Sequence, residues 1–150
     1  MGLIKGGAER LGLNNIEALV NDATEYDEKL GVFDRALCDV PCSGLGVIRR
    51  KPEIRFKKPQ EIALLPKIQY KIASTTAKYL KSGGTMIYST CTLSKEENED
   101  VVKRLIDESG LLPDKLPEEL QKYSKDGYSV TLLPGEIKSD GFYFARLRKE

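Results

Sequence analysis

Two short apolar runs separated by one long helical stretch govern what this chain can fold into. Residues 32–38, centred on Ala36-Leu37-Cys38, read as a β-strand, and so do residues 85–89, TMIYS. Between them, residues 60–81 carry Ile68, Ile72, Ala73, Thr76, Tyr79 and Leu80 near helical spacing. Strand, helix and strand in that order predict an α/β fold whose sheet contains parallel strands and is covered by helices. In such sheets ligands bind beyond the carboxyl ends of the strands. Each of the two runs is followed there by a cysteine: Asp39-Val40-Pro41-Cys42-Ser43-Gly44 after the first, Ser89-Thr90-Cys91-Thr92 after the second.

The remaining elements follow from local signals. Residues 5–13 read as the end of a helix stopped near Gly12-Leu13-Asn14-Asn15, and residues 16–20 as a short strand leading to Asn21-Asp22-Ala23-Thr24. Residues 41–59 read as a loop with Gly and Pro at both ends. Pro66 fits the first turn of the main helix, where a missing N–H costs little, and Gly83-Gly84 fits its end. Ser94 and Glu97 form a capping-box pattern that opens a helix through Val101, Val102, Leu105 and Ile106. That helix would turn its positive N-terminus toward Cys91 and favour a thiolate there. Residues 110–125 read as a Pro-rich connection. Residues 128–133 and 142–147 read as strands, joined through Pro134-Gly135 and Asp140-Gly141 into an antiparallel pair at a sheet edge.

Composition excludes several chemistries. The 150 residues contain three cysteines and no histidine. There is no Ser-His-Asp triad, no Cys-His dyad and no histidine-ligated zinc, and no metal site is expected. An odd cysteine count with two in motif-like loops argues against a disulfide framework and for a reducing, cytoplasmic setting. No apolar run approaches the roughly 18 residues of a membrane span, and the N-terminal residues lack a signal-peptide pattern. The net charge of +1 is silent about partners, but residues 49–58, RRKPEIRFKK, hold six basic residues against one acidic. Such a run is a surface for nucleic-acid phosphates or a solvated basic loop; Phe56 within it either stacks on a base or packs under the loop.

With these residues in view, the segments DVPCSGLG, RRKPEIRF, LKSGGTMIYSTCTLSKEENE and LLPGEIKSDGFYFARL resemble the Sun/Fmu and Nop-type RNA cytosine-5 methyltransferases, from about Leu3 to Leu147. The resemblance implies the C-terminal portion of a Rossmann-like S-adenosylmethionine-dependent methyltransferase fold, with residues 1–150 as a single partial catalytic domain. It implies methylation of cytosine C5 in RNA, 16S ribosomal RNA first and transfer RNA second, through a covalent cysteine adduct at C6. Cys91 is then the nucleophile, Cys42 the second cysteine that releases product, and Asp39 a hydrogen-bonding partner of the target cytosine. Asp22 matches the acidic position at the adenine end of S-adenosylmethionine, with Asp39 and Pro41 as further cofactor-side positions. Arg49, Arg50, Lys51 and Arg55 become RNA contacts. Asp39 as a turn former and Asp22 as an Asx-turn are the plain structural alternatives.

The family's Gly-rich cofactor loop and first two strands do not appear in this sequence, and Gly6-Gly7 has no strand before it to serve instead. The strands at residues 16–20 and 32–38 would lack the neighbours that the fold places between them. The chain is therefore expected to oligomerise, to repack, or to depend on a complementing N-terminal fragment. Other readings are a non-catalytic RNA-binding fragment using the basic loop, and a DNA cytosine-5 methyltransferase in which Cys42 attacks. A Cys phosphatase is excluded by spacing, because Arg49 lies one residue too far from Cys42 for its anion loop.

Overall fold

The computed structural model describes residues 2–150. In chain order it contains helix α1 (Gly2–Arg10), strand β1 (Phe33–Asp39), helix α2 (Pro59–Lys78), strand β2 (Leu80–Thr90), helix α3 (Glu99–Glu108), strand β3 (Leu111–Pro113), helix α4 (Glu118–Gln121), and strands β4 (Ser129–Leu132) and β5 (Phe142–Lys149). β1 and β2 are parallel, in register from Arg35 opposite Thr85 to Asp39 opposite Ser89. β5 runs antiparallel to β2 on the other side. The far side of β5 is shared by β3 and β4. The C-terminal pair is thus formed as expected, but β5 is interior rather than at an edge, because its alternating apolar residues find partners on both sides.

Alternation along the strands decides which face is covered. Met86, Tyr88, Tyr143, Ala145 and Leu147 point to one face and pack with Ala73 and Ala77 of α2 and Val101, Val102 and Leu105 of α3. Tyr88 and Tyr143 meet edge to face at 6.4 Å between ring centroids. The opposite face carries Ile87, Phe144 and Arg146, and α4 stands over it beside a cavity of about 410 Å³. β1 forms one edge of the sheet, and Leu37 on it is 73% exposed. No helix among the described residues is long and apolar enough to cross a membrane.

Several local expectations fail for identifiable reasons. Residues 16–20 form no strand: Ile16, Leu19 and Val20 are exposed, and no neighbouring strand completes a ladder along them. Pro66 lies inside α2; Pro59 occupies the first turn instead. α2 ends at Lys78, so Gly83-Gly84 fall within β2, not at the helix terminus. They form an irregular bulge between the pairs Phe33–Leu80 and Arg35–Thr85. A Cβ at Gly84 would sit 2.9 Å from Lys81 O and 3.1 Å from Asp34 O, which is why a glycine is required. The 110–125 connection is not featureless, since it contains β3 and α4.

Candidate active site

The parallel β1–β2 pair brings both cysteine loops to one rim. The ladder continues one residue past β1, where Val40 N–H donates to Ser89 O at 3.2 Å. Beyond it the two chains place Cys42 Sγ and Cys91 Sγ 3.0 Å apart, and Cys91 N–H points at Cys42 Sγ at 3.3 Å. Both are half-buried free thiols, and Cys38 is a third, buried in the core. Burial, followed by the hydrogen bond with Cys91, pushes the Cys42 thiol up to about 12. Cys42 therefore keeps its proton at neutral pH.

Glu97 bonds the residue that follows each cysteine. It is 1% exposed, and its Oε2 accepts from Ser43 N–H at 2.9 Å and from Gln69 Nε2 at 2.8 Å. Thr92 Oγ1 donates to Oε1 at 3.4 Å, and the Ser43 and Thr92 hydroxyls bond each other at 2.7 Å. The expected capping box is absent, because the Glu97 side chain turns into this network instead of capping at Ser94. Helix α3 opens only at Glu99, with Asn98 before it, so it does not begin beside Cys91 as expected. Asn98 is also buried and joins Thr90 Oγ1 at 2.6 Å and Thr92 O at 3.1 Å.

Lys57 and Gly46 fix the loops. Lys57 Nζ donates to the carbonyls of Cys42 and Ser43 at 3.3 and 2.8 Å. Gly46 N–H donates to Cys91 O at 3.0 Å, and Gly141 N–H donates to Gly46 O at 2.8 Å. A Cβ on Gly46 would lie 2.1 Å from Gly141 O. Sequence reasoning named none of Glu97, Gln69, Lys57 and Gly46 as a site residue. The only signal for Glu97 was its place in a helix-start pattern, which misassigned its partner.

The other predicted site residues surround this centre unevenly. Asp39 is exposed at the end of β1, and its Oδ1 accepts from Ser89 Oγ at 2.9 Å. Pro41 O accepts from Gln69 Nε2 at 2.9 Å. Asp22 does form an Asx-turn, with Oδ1 accepting from Thr24 N–H and Thr24 Oγ1; the backbone bond first, then the hydroxyl, hold its carboxyl below the usual range. Arg49 and Arg50 both reach the buried Asp140, while most of each guanidinium side chain stays exposed. Arg55 Nε bonds Pro52 O, and Lys51 is exposed. Phe56 is 80% exposed and does not pack under the loop: Ile54 fills that position, 6% exposed.

The family described as 16S rRNA methyltransferase RsmB/F matches residues 1–148. A probable ribosomal RNA small subunit methyltransferase B of Bacillus subtilis is 42% identical over 99% of this chain and 35% of its own length. Ribosomal RNA small subunit methyltransferase B of Shewanella oneidensis is 36% identical over 97% of this chain and 34% of its own length. The chain thus spans about a third of the length of these curated relatives. Among solved structures, NSun6 from Pyrococcus horikoshii, determined with SFG, superposes with a TM-score of 0.85 at 29% identity. That match covers 97% of this chain and 38% of NSun6. The sheet, the cysteine rim and these matches agree, and the chain belongs to the 16S rRNA methyltransferase RsmB/F family.

Proposed function

We propose that this chain carries the cysteine centre of an S-adenosylmethionine-dependent RNA cytosine-5 methyltransferase, as one part of its catalytic domain. The observation that carries the reading is the 3.0 Å Sγ–Sγ contact at the carboxyl ends of two parallel strands. Cytosine C5 is a poor nucleophile, and the chemistry needs a thiolate to add to C6. Cys91 forms that S–C6 bond, and the electrons displaced from the C5–C6 double bond make C5 nucleophilic. Asp39, exposed beside the rim, hydrogen-bonds the base. After methylation a base removes the C5 proton, the double bond reforms and the Cys91 sulfur leaves. The protonated Cys42 thiol is in contact with that leaving sulfur and stabilises it by donating a hydrogen bond.

S-adenosylmethionine, when bound, supplies an electrophilic methyl group. The residues present suit its polar edges, since Asp22 and Asp39 are exposed carboxylates, each with an oxygen not used by the bonds described, and amino and hydroxyl groups donate to carboxylates. SFG, found with NSun6, is an analogue of this cofactor. Asp22, Asp39 and Pro41 are the positions proposed to face it. Ribosomal RNA is the proposed substrate, because the named relatives are ribosomal RNA methyltransferases. Arg49, Arg50, Lys51 and Arg55 are its proposed phosphate contacts, and the target base is expected to leave its stack to reach the thiol.

The test is methyl transfer from labelled S-adenosylmethionine to 16S ribosomal RNA by the intact protein, with the product nucleoside identified by mass spectrometry. The reading expects 5-methylcytidine, and none with Cys91→Ser. A different methylated nucleoside, or an unaffected Cys91→Ser enzyme, would overturn it.

A further inference from the structure

We infer that Glu97 is a positioning residue that sets the distance between the two thiols, a role that rests on the cysteine-centre reading above. Ser43 and Thr92 each directly follow one of the cysteines, and Glu97 bonds both. Ser43 N–H and Gln69 Nε2 converge on one carboxyl oxygen, and Thr92 Oγ1 reaches the other. The Ser43–Thr92 hydroxyl bond of 2.7 Å closes the ring. A rigid bridge one residue beyond each cysteine constrains the backbone on which each Sγ stands.

The surroundings show that this arrangement is built around the carboxyl group. Gln69 is fully buried and spends both amide hydrogens on Pro41 O and Glu97 Oε2. Its own Oε1 is the buried side-chain atom left without a hydrogen-bond partner among the described residues. An unpaired buried acceptor is costly, and turning the amide over would set that oxygen against the Glu97 carboxyl. Glu97 is held in turn by its backbone, since Tyr88 Oη donates to Glu97 O at 2.6 Å. Three elements therefore converge on one side chain: the loop after β1, helix α2, and the turn after β2. Every bond to the Glu97 carboxyl is buried, which makes the role one of positioning rather than catalysis.

The experiment measures thiol proximity directly. The intact protein is equilibrated with defined ratios of glutathione and glutathione disulfide. Two protein thiols give up two hydrogens, one glutathione disulfide becomes two glutathiones, and the Cys42–Cys91 disulfide is quantified. The equilibrium gives the effective concentration of one thiol at the other. Glu97→Ala is expected to lower it by about tenfold or more, whereas Glu97→Gln, whose amide oxygen still accepts, stays within about threefold of the parent. Leu111→Ala, which opens the core away from the site, is the control for lost stability and is expected to leave the value unchanged. An unchanged value in Glu97→Ala, or an equal fall in Leu111→Ala, would overturn the inference. The measurement does not depend on methylation, so failure of the nucleophile assignment appears separately, as absence of a covalent RNA adduct with normal thiol proximity.

Discussion

Tyr88 Oη donates to the backbone carbonyl of Glu97 at 2.6 Å, with both residues buried, so a core residue of β2 fixes the turn that follows the strand's own cysteine. The bond couples the strand to the turn across nine residues of chain. Tyr88→Phe keeps the ring packed on Tyr143 but leaves a buried carbonyl unpaired. We expect a loss of about 1–3 kcal/mol, read as a lower urea midpoint with an unchanged slope.

Gly46 is pressed against the backbone of both Gly141 and Cys91. Its missing side chain lets its backbone bond both Cys91 O and Gly141 N. Gly46→Ala introduces a Cβ that the present backbone cannot accept at 2.1 Å from Gly141 O. The expected cost is about 1–3 kcal/mol, together with loss of methyl transfer, because the Cys91 carbonyl is displaced. A folded variant of unchanged activity in a discontinuous methyl-transfer assay would show that the clasp is dispensable.

Stability should fall at alkaline pH, with a sign set by the buried thiols. Burial raises Cys38 to about 11 and Cys42 to about 12, the latter also through its bond with Cys91. In the unfolded chain thiols ionise near about 8.5. The folded state therefore holds more protons than the unfolded state between these values, and stability declines as pH rises through that window. The contribution is fully present below the unfolded value and lost once pH has passed the folded one. Urea midpoints at pH 7.5, 9 and 10.5 should decrease in that order, and less steeply in Cys38→Ala.

Of the four proposed RNA contacts, Lys51 and Arg55 are the two not engaged with Asp140. Lys51→Gln should weaken RNA binding with little regard to sequence, and lower the salt slope of log K by about 0.7–0.9. Arg50→Gln should lose stability as well, because it removes a partner from the buried Asp140 carboxylate. Fluorescence titration over a salt series, set beside thermal melts, separates the two effects.

The parts of the fold that sequence made legible are those fixed by periodicity and strand ends. β1, α2 and β2 were readable because their apolar spacing is strong, and the meeting of Cys42 with Cys91 followed once the strands were parallel. The misread parts depend on partners distant in the chain. Residues 16–20 have the composition of a strand, but a strand exists only where another pairs with it. Glu97 sits where a capping residue would, yet Ser43 in the loop after β1 and Gln69 on α2 bind its side chain. Gly83-Gly84 have the composition of a helix stop, and the chain uses them for a bulge where β2 passes close to the backbone of β1. Arg49 and Arg50 were legible as charge but not as partners of Asp140, since no local pattern links residues so far apart.

Cys91, not Cys42, is the residue proposed to bond to the base. The most direct measurement incubates the intact protein with S-adenosylmethionine and ribosomal RNA containing 5-azacytidine, whose ring nitrogen at position 5 prevents release. The denatured complex is then digested and the adduct-bearing peptide sequenced by mass spectrometry. An adduct on Cys91 is expected, abolished in Cys91→Ser and retained in Cys42→Ser. An adduct on Cys42, or none on either cysteine of a protein that still methylates RNA, would contradict it.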